Sequence, residues 1–314
     1  MEDYPKTLEE FEDRFSTEAA CRDYLMALRW PNGFGCPRCG HRQAWRVRRF
    51  LWECAGCGHQ TTVTAGTIFQ DTRKPLRTWF RAIWYVTSQK GGVSAMGLQR
   101  ILGLGSYRTA WSWLHKLRRA MVRPGRDRLS GRVEVDETYF GALEEGRQGR
   151  EPGRKVLIVI AAQEDGAKIG RIRMRRVPDA SAKSLQGFVA DVIERGSVVH
   201  TDGWAGYMTL KDKGYVHETT DQGRLGIPGA QADLLPRVHL VVSLLKRWLL
   251  GTHQGAVGLE HLDYYLDEFT FRFNRRNSQY RGKLFYRLVQ QAVTADPVTF
   301  QDLLNQGRRP DHHR

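Results

Sequence analysis

The chain has 314 residues, long enough for two or three domains with at least one sizeable core. Hydrophobic residues at 41% and aromatics at 11% exclude a disordered chain, and no apolar run approaches the roughly 18 residues of a membrane span. Lysine and arginine number 49 against 34 acids, giving a formal charge of +15; that is the electrostatic footprint of a polyanion partner, with nucleic acid the first candidate.

The N-terminal stretch MEDYPKTLEEFEDRF is acidic and amphipathic, unlike a signal or transit peptide, which predicts a cytoplasmic protein. Residues 1–30 read as a helical segment that Pro31, Asn32 and Gly33 bring to an end. Cys21 within it reads as a small core residue. Residues 31–70 hold the other four cysteines in two tight pairs, Cys36-Pro-Arg-Cys39 and Cys54-Ala-Gly-Cys57. Each pair forms a knuckle whose two thiolates reach one ion, so the two together predict a zinc ribbon with a closed four-sulfur site for structural Zn²⁺ rather than disulfides. Between the knuckles, Arg42, Arg46, Arg48 and Arg49 mix with Trp45, Val47 and Leu51. They are candidates to lie along DNA phosphates, and a plain solvated face is the alternative.

Residues 71–125 read as helical. Two helices flank the turn Leu102-Gly103-Leu104-Gly105, and the second carries Arg108, Lys116, Arg118 and Arg119. This is the outline of a helix-turn-helix, with Arg108 and Lys116 as candidate DNA contacts, or of an ordinary helical hairpin.

From Arg132 the period changes to that of strands: RVEVDETYF alternates, KVLIVIAAQ is continuously apolar and RIRMRRV alternates again. A helix (SAKSLQGFVADVIERG), a strand (SVVHTDGW), a short helical stretch and a final extended piece (YVHETT) follow, predicting a mixed α/β sheet covered by helices. Two polar loops interrupt it, GALEEGRQGREPGRK and TDQGRLGIPGAQADLLP. In the first strand Val133 and Val135 point to the core while Glu134, Asp136 and Thr138 point the other way. Asp202 stands at a strand's C-terminal end, where open α/β sheets hold their sites. Two neighbouring carboxylates repel unless a cation such as Mg²⁺ holds both ionised. The helix LPRVHLVVSLLKRWLLGTH reads as oily on nearly every side and mostly buried, with His239, Ser243 and Lys246 along one narrow line. A last helix, LEHLDYYLDEFTFRFNRR, stacks Leu262, Tyr265, Leu266 and Phe269 on one face.

The motifs RWPNGFGCPRCG, CAGCGHQ, VEVDETYFGA, VVHTDGWAGY, LPRVHLVVSLLKRWLLGTH and HLDYYLDEFTFRFNRR together resemble bacterial insertion-sequence transposases with an N-terminal zinc ribbon and a DDE-type catalytic domain. The resemblance implies an RNase H-like mixed sheet flanked by helices over residues 130–280, followed by a tail over 281–314. It implies metal-dependent cleavage and strand transfer of double-stranded DNA at element terminal repeats and target sites, without a membrane, by a homo-oligomer, dimer or larger, at the nucleoid. Asp136 and Asp202 become the two catalytic acids, holding Mg²⁺ or Mn²⁺. The third ligand position, usually Glu, falls on His239, as in branches that carry Asn or His there. The basic DNA contact seven residues on is Lys246, with Arg247 beside it. Glu134 and Glu137 are the nearest acids that could substitute for the third ligand. The competing class is a transposase-derived DNA-binding protein or regulator that has lost catalysis. His239 is the feature that favours it, and the two unbroken aspartate motifs favour the enzyme.

Overall fold

A computed structural model describes residues 2–48, 50–123, 125–141, 155–220, 235–255 and 257–305. Arg49, both polar loops of the sheet region in their central parts, and residues 306–314 lie outside the described residues. Among those described, no helix is long and apolar enough to cross a membrane. By contacts the chain divides into two units, residues 1–123 with 277–306, and residues 124–276.

The first unit begins with α1 (Leu8–Arg14) and α2 (Glu18–Arg29), each started by a threonine, Thr7 and Thr17, whose hydroxyl accepts a first-turn amide. The ribbon follows as three short antiparallel strands, β1 (Ala44–Arg48), β2 (Leu51–Cys54) and β3 (Gln60–Thr61). Next come α3 (Leu76–Ser88), α4 (Ala95–Leu102) and α5 (Tyr107–Ala120). Gly103, at φ +60, ends α4 in the left-handed conformation and opens the turn to α5. The 281–314 tail is not what the structure contains over 281–305. Residues Arg281–Ala292 form helix α9 and Phe300–Asn305 form α10. Phe285 of α9 lies at the centre of an aromatic cluster of Phe11, Phe15, Tyr24, Phe80 and Trp84, with ring centroids 5.3 to 6.2 Å from its own. The apolar positions of α9 therefore complete a core whose other walls come from the first 90 residues.

The second unit is the expected mixed sheet. Its strands are β4 (Arg132–Gly141), β5 (Lys155–Asp165), β6 (Lys168–Val177), β7 (Val198–Thr201) and β8 (Val216–Thr219), in the order β6-β5-β4-β7-β8. The first three form an antiparallel meander, and β7 and β8 run parallel to β4, which is the RNase H-like arrangement. Alternation along β4 divides two cores. Val133 and Val135 meet α6 (Ala182–Val192) and the 3-10 segment Ala205–Lys213 on one face. Opposite them, Ile158, Ile160 and Ala162 of β5 meet α7 (Pro236–His253) and α8 (Leu262–Phe273). Glu134 and Asp136 point to this second face, under α7.

Helix α7 is less buried than its sequence predicts. Among its apolar residues only Val238, Val241, Leu245 and Leu249 are buried, one stripe of the helix, with His253 buried at its end, while Leu240 and Leu250 are 50% and 63% exposed and Ser243 and Lys246 are exposed. The helix is an outer layer on the sheet, so one face suffices to anchor it and the polar line is left open.

Candidate active site

The four ribbon cysteines meet as their spacing predicts. All four Sγ atoms lie within 4.8 Å of one another, with Cys36 to Cys57 at 3.7 Å and Cys39 to Cys54 at 3.6 Å. A tetrahedral ion with Zn–S bonds of about 2.3 Å needs sulfurs about 3.8 Å apart, so the set fits structural zinc. The two knuckles are alike: the Arg38 amide donates to Cys36 Sγ and the Gly56 amide to Cys54 Sγ, both at 3.4 Å. Cys21 is fully buried, and desolvation pushes its thiol up to about 12, the inert core residue the sequence predicts.

On the sheet, Glu134 of β4 pairs in parallel register with His200 of β7. The same register two residues further brings Asp136 beside Asp202, just past the end of β7. Asp202 is held by its turn: Trp204 N donates to Oδ1 at 3.0 Å, and Gly203 takes φ +85, which a side chain would strain. Asp136 Oδ1 accepts the Glu137 amide at 2.8 Å, and its Oδ2 lies 3.1 Å from His239 Nε2 of α7. Burial raises the Asp136 carboxyl above its usual range and the charge of Asp202 pushes the same way, while the Glu137 amide and His239 oppose them. A site that holds two carboxylates against mutual repulsion gains from a cation. The 3.1 Å between His239 Nε2 and Asp136 Oδ2 matches the ~3 Å between neighbouring ligands of an octahedral ion with bonds of about 2.1 Å. The three side chains form a looser set than the cysteines, the one group among the described residues to meet the 4.8 Å spacing.

The two substitute acids are occupied otherwise. Glu137 faces the opposite core and accepts the Tyr207 hydroxyl at 2.9 Å. Glu134 shares the face of Asp136 but spends its carboxylate on α7: Oε2 accepts the amides of Arg237 at 2.8 Å and Val238 at 2.9 Å, and Oε1 accepts from Arg237 Nη1 at 3.0 Å. Sequence alternation placed it on the right face, but the landing point of a helix a hundred residues later leaves no local mark. Tyr207, seventy residues from Glu137, likewise carries no local mark of its partner.

Lys246 and Arg247 are exposed on α7, Lys246 about 10 Å along the helix from His239. Arg46 and Arg48 are exposed on β1. Arg108 is exposed in the first turn of α5, its guanidinium 3.7 Å from the centre of the Phe300 ring. Lys116 and Arg118 do not stand on an open recognition face. Desolvation lowers the pKa of Lys116, and Arg118 is 1% exposed with Nη1 3.4 Å from His115 Nε2. Helix α5 buries most of its length because it is a core helix of its unit, and only its first turn, Tyr107 and Arg108, is open.

Residues 16–60 match the transposase zinc-ribbon domain and residues 128–274 match the ISXO2-like transposase domain. The chain is also 27% identical, over 283 residues covering 82% of it and 91% of the relative, to an uncharacterized protein in transposable element ISH50 of Halobacterium salinarum. Its ribbon and its sheet unit are thus each similar to a domain of transposases, the zinc-ribbon domain and the ISXO2-like domain respectively.

Proposed function

We propose that this protein is a transposase that binds the terminal repeats of an insertion sequence and catalyses DNA cleavage and strand transfer with Asp136, Asp202 and His239 as ligands of catalytic divalent cations. What supports the reading is the 3.1 Å approach of His239 Nε2 to Asp136 Oδ2, with Asp202 close enough for its charge to act on the Asp136 carboxyl. Bound there, a pair of Mg²⁺ or Mn²⁺ ions supplies an acidified water for attack and charge stabilisation for the leaving oxygen. The chain's own part is to hold two ionised carboxylates and a neutral imidazole lone pair at fixed positions. The exposed Lys246 and Arg247 hold a DNA phosphate beside them, and Arg46, Arg48 and Arg108 extend the contact to DNA further off. The active form on DNA is a dimer or larger, engaging two element ends.

Imidazole is a poorer partner than carboxylate for hard Mg²⁺ and a better one for Mn²⁺. Purified protein therefore cleaves labelled element-end DNA faster with Mn²⁺ than with Mg²⁺, and His239→Glu narrows the gap. Asp136→Asn abolishes cleavage and leaves DNA binding intact. Lys246→Ala weakens binding and lowers its salt slope by about one without moving the melting temperature. Equal rates with both ions would remove His239 from the ligand set. Binding without any metal-dependent cleavage would instead establish a catalytically inactive DNA-binding protein.

A further inference from the structure

We infer that Glu134 is a positioning residue of the active site: by capping the first turn of α7 from within β4, its buried carboxylate fixes where His239 stands relative to Asp136. The inference rests on the reading of His239 as a metal ligand.

Helix α7 has no cap of its own. Its N-cap position is Leu235, which makes no side-chain cap bond, and its first residue is Pro236, which has no N–H. The next two amides, of Arg237 and Val238, both donate to Glu134 Oε2, and the His239 amide reaches the Leu235 carbonyl at 3.1 Å. The open amides of the first turn are thus satisfied by one side chain of another element. Glu134 is 1% exposed, and a carboxylate so buried requires partners. The amides, the positive end of the helix and the Arg237 guanidinium supply them.

The geometry joins the two halves of the site by a second route. On the strand Glu134 lies two residues from Asp136 and on the same face, and on the helix Val238 immediately precedes His239. Besides the direct His239–Asp136 contact, a second link between these two side chains runs through the Glu134 cap. Arg237 braces it further. Its Nη1 also lies 3.2 Å from Glu164 Oε1, its Nη2 donates to the Gly166 carbonyl at 3.0 Å, and Glu164 in turn pairs with Arg132 at 3.0 Å. The start of α7 is therefore tied to β4 and to the β5–β6 turn. Any sliding or rotation of its first turn would carry His239 away from Asp136.

The test is Mn²⁺ affinity of the full-length protein without DNA, read by electron paramagnetic resonance, together with hydrogen exchange at the Arg237 and Val238 amides before metal is added. Glu134→Ala is expected to remove the protection of both amides and to weaken Mn²⁺ binding about tenfold, the usual effect of losing a group that orients a ligand. Glu134→Gln removes the same charge but retains an acceptor, so it recovers most of the affinity. The difference between the two variants reads geometry rather than charge. In a His239→Ala background, Glu134→Ala then changes Mn²⁺ affinity by less than about twofold, because the residue acts through His239. Equal losses from Glu134→Ala with and without His239, or equal losses from Ala and Gln at 134, would overturn the inference. His239→Ala with unchanged Mn²⁺ affinity would instead overturn the ligand reading beneath it. If Glu134→Ala fails to fold, Glu134→Asp, which keeps the charge but draws the carboxylate back from the two amides, takes its place in the cycle: it is expected to weaken Mn²⁺ binding with His239 present and not in the His239→Ala background, and equal losses in both would overturn the inference.

Discussion

His217, buried in β8, stands with Nε2 3.0 Å from the Thr201 hydroxyl at the end of β7. Desolvation lowers its pKa, and the charges of Lys211 and His200 act in the same direction. The unfolded chain therefore takes up a proton at a higher pH than the folded one. The stability this neutral histidine confers is present above about pH 6.5 and is lost as pH falls below it, toward the lower folded value. The urea midpoint of the protein is expected to drop between about pH 7 and about pH 5, and His217→Gln to flatten that drop even where it lowers the midpoint at neutral pH. An unchanged slope would assign the acid sensitivity elsewhere. At this scale the candidate site was largely legible. Asp136 and Asp202 stand out because an acid in an apolar strand and an acid before a strand-ending glycine each break a local rule. The roles of Glu134 and Tyr207 were hidden because nothing near either residue announces the partner that occupies it.

Helix α9 carries a glycine whose reason lies in another element. A Cβ built on Gly282 would lie 1.5 Å from the carbonyl oxygen of Pro5, a backbone atom that cannot swing aside. In an open helix, Gly→Ala gains about 1 kcal/mol. Here the N-terminal segment must withdraw instead, losing the Tyr24 hydroxyl bond to the Asp3 carbonyl at 2.9 Å and the Lys283–Glu2 pair at 3.3 Å. The steric term wins, so Gly282→Ala lowers the melting temperature by several degrees. Gly251→Ala in α7, with nothing within 4 Å of the added carbon, leaves it unchanged or raises it. A Gly282→Ala protein as stable as the parent would mean that the N-terminal segment does not cross α9 there. The elements themselves were well marked by period: the meander, the crossover helix and α7 all fall where alternation and apolar spacing put them. The extent of burial was not. The apolar residues of α7 outnumber those its single packed face can use, and no pattern along the helix shows which of them the sheet will cover.

At the scale of the whole chain, the helical unit is discontinuous: it closes only when α9 places Phe285 among Phe11, Phe15, Tyr24, Phe80 and Trp84. Phe285→Ala is expected to cost about 3–5 kcal/mol, as truncation of a fully buried phenylalanine does. A chain ending at Arg276 loses the cooperative melting of this unit and binds a hydrophobic dye, while calorimetry still records the transition of the sheet unit. Retention of both transitions would mean that α9 is dispensable. The sequence reads 281–314 as a tail because helix period alone does not tell which core a helix joins. The pairing of Phe285 with Phe11 spans nearly the full chain, and such contacts are properties of the fold rather than of any window of residues.

That return has a consequence for how the protein is made. A ribosome delivers residues 1–123 first, yet their core waits for α9, which emerges only after the entire sheet unit has been threaded out. At about 5–20 residues per second the delay is on the order of ten seconds, during which five aromatic side chains lack their central partner. The sheet unit, contiguous in the chain, can be completed in that interval. A polypeptide cut short before α9 thus carries every ribbon cysteine and every candidate catalytic side chain but no finished helical unit.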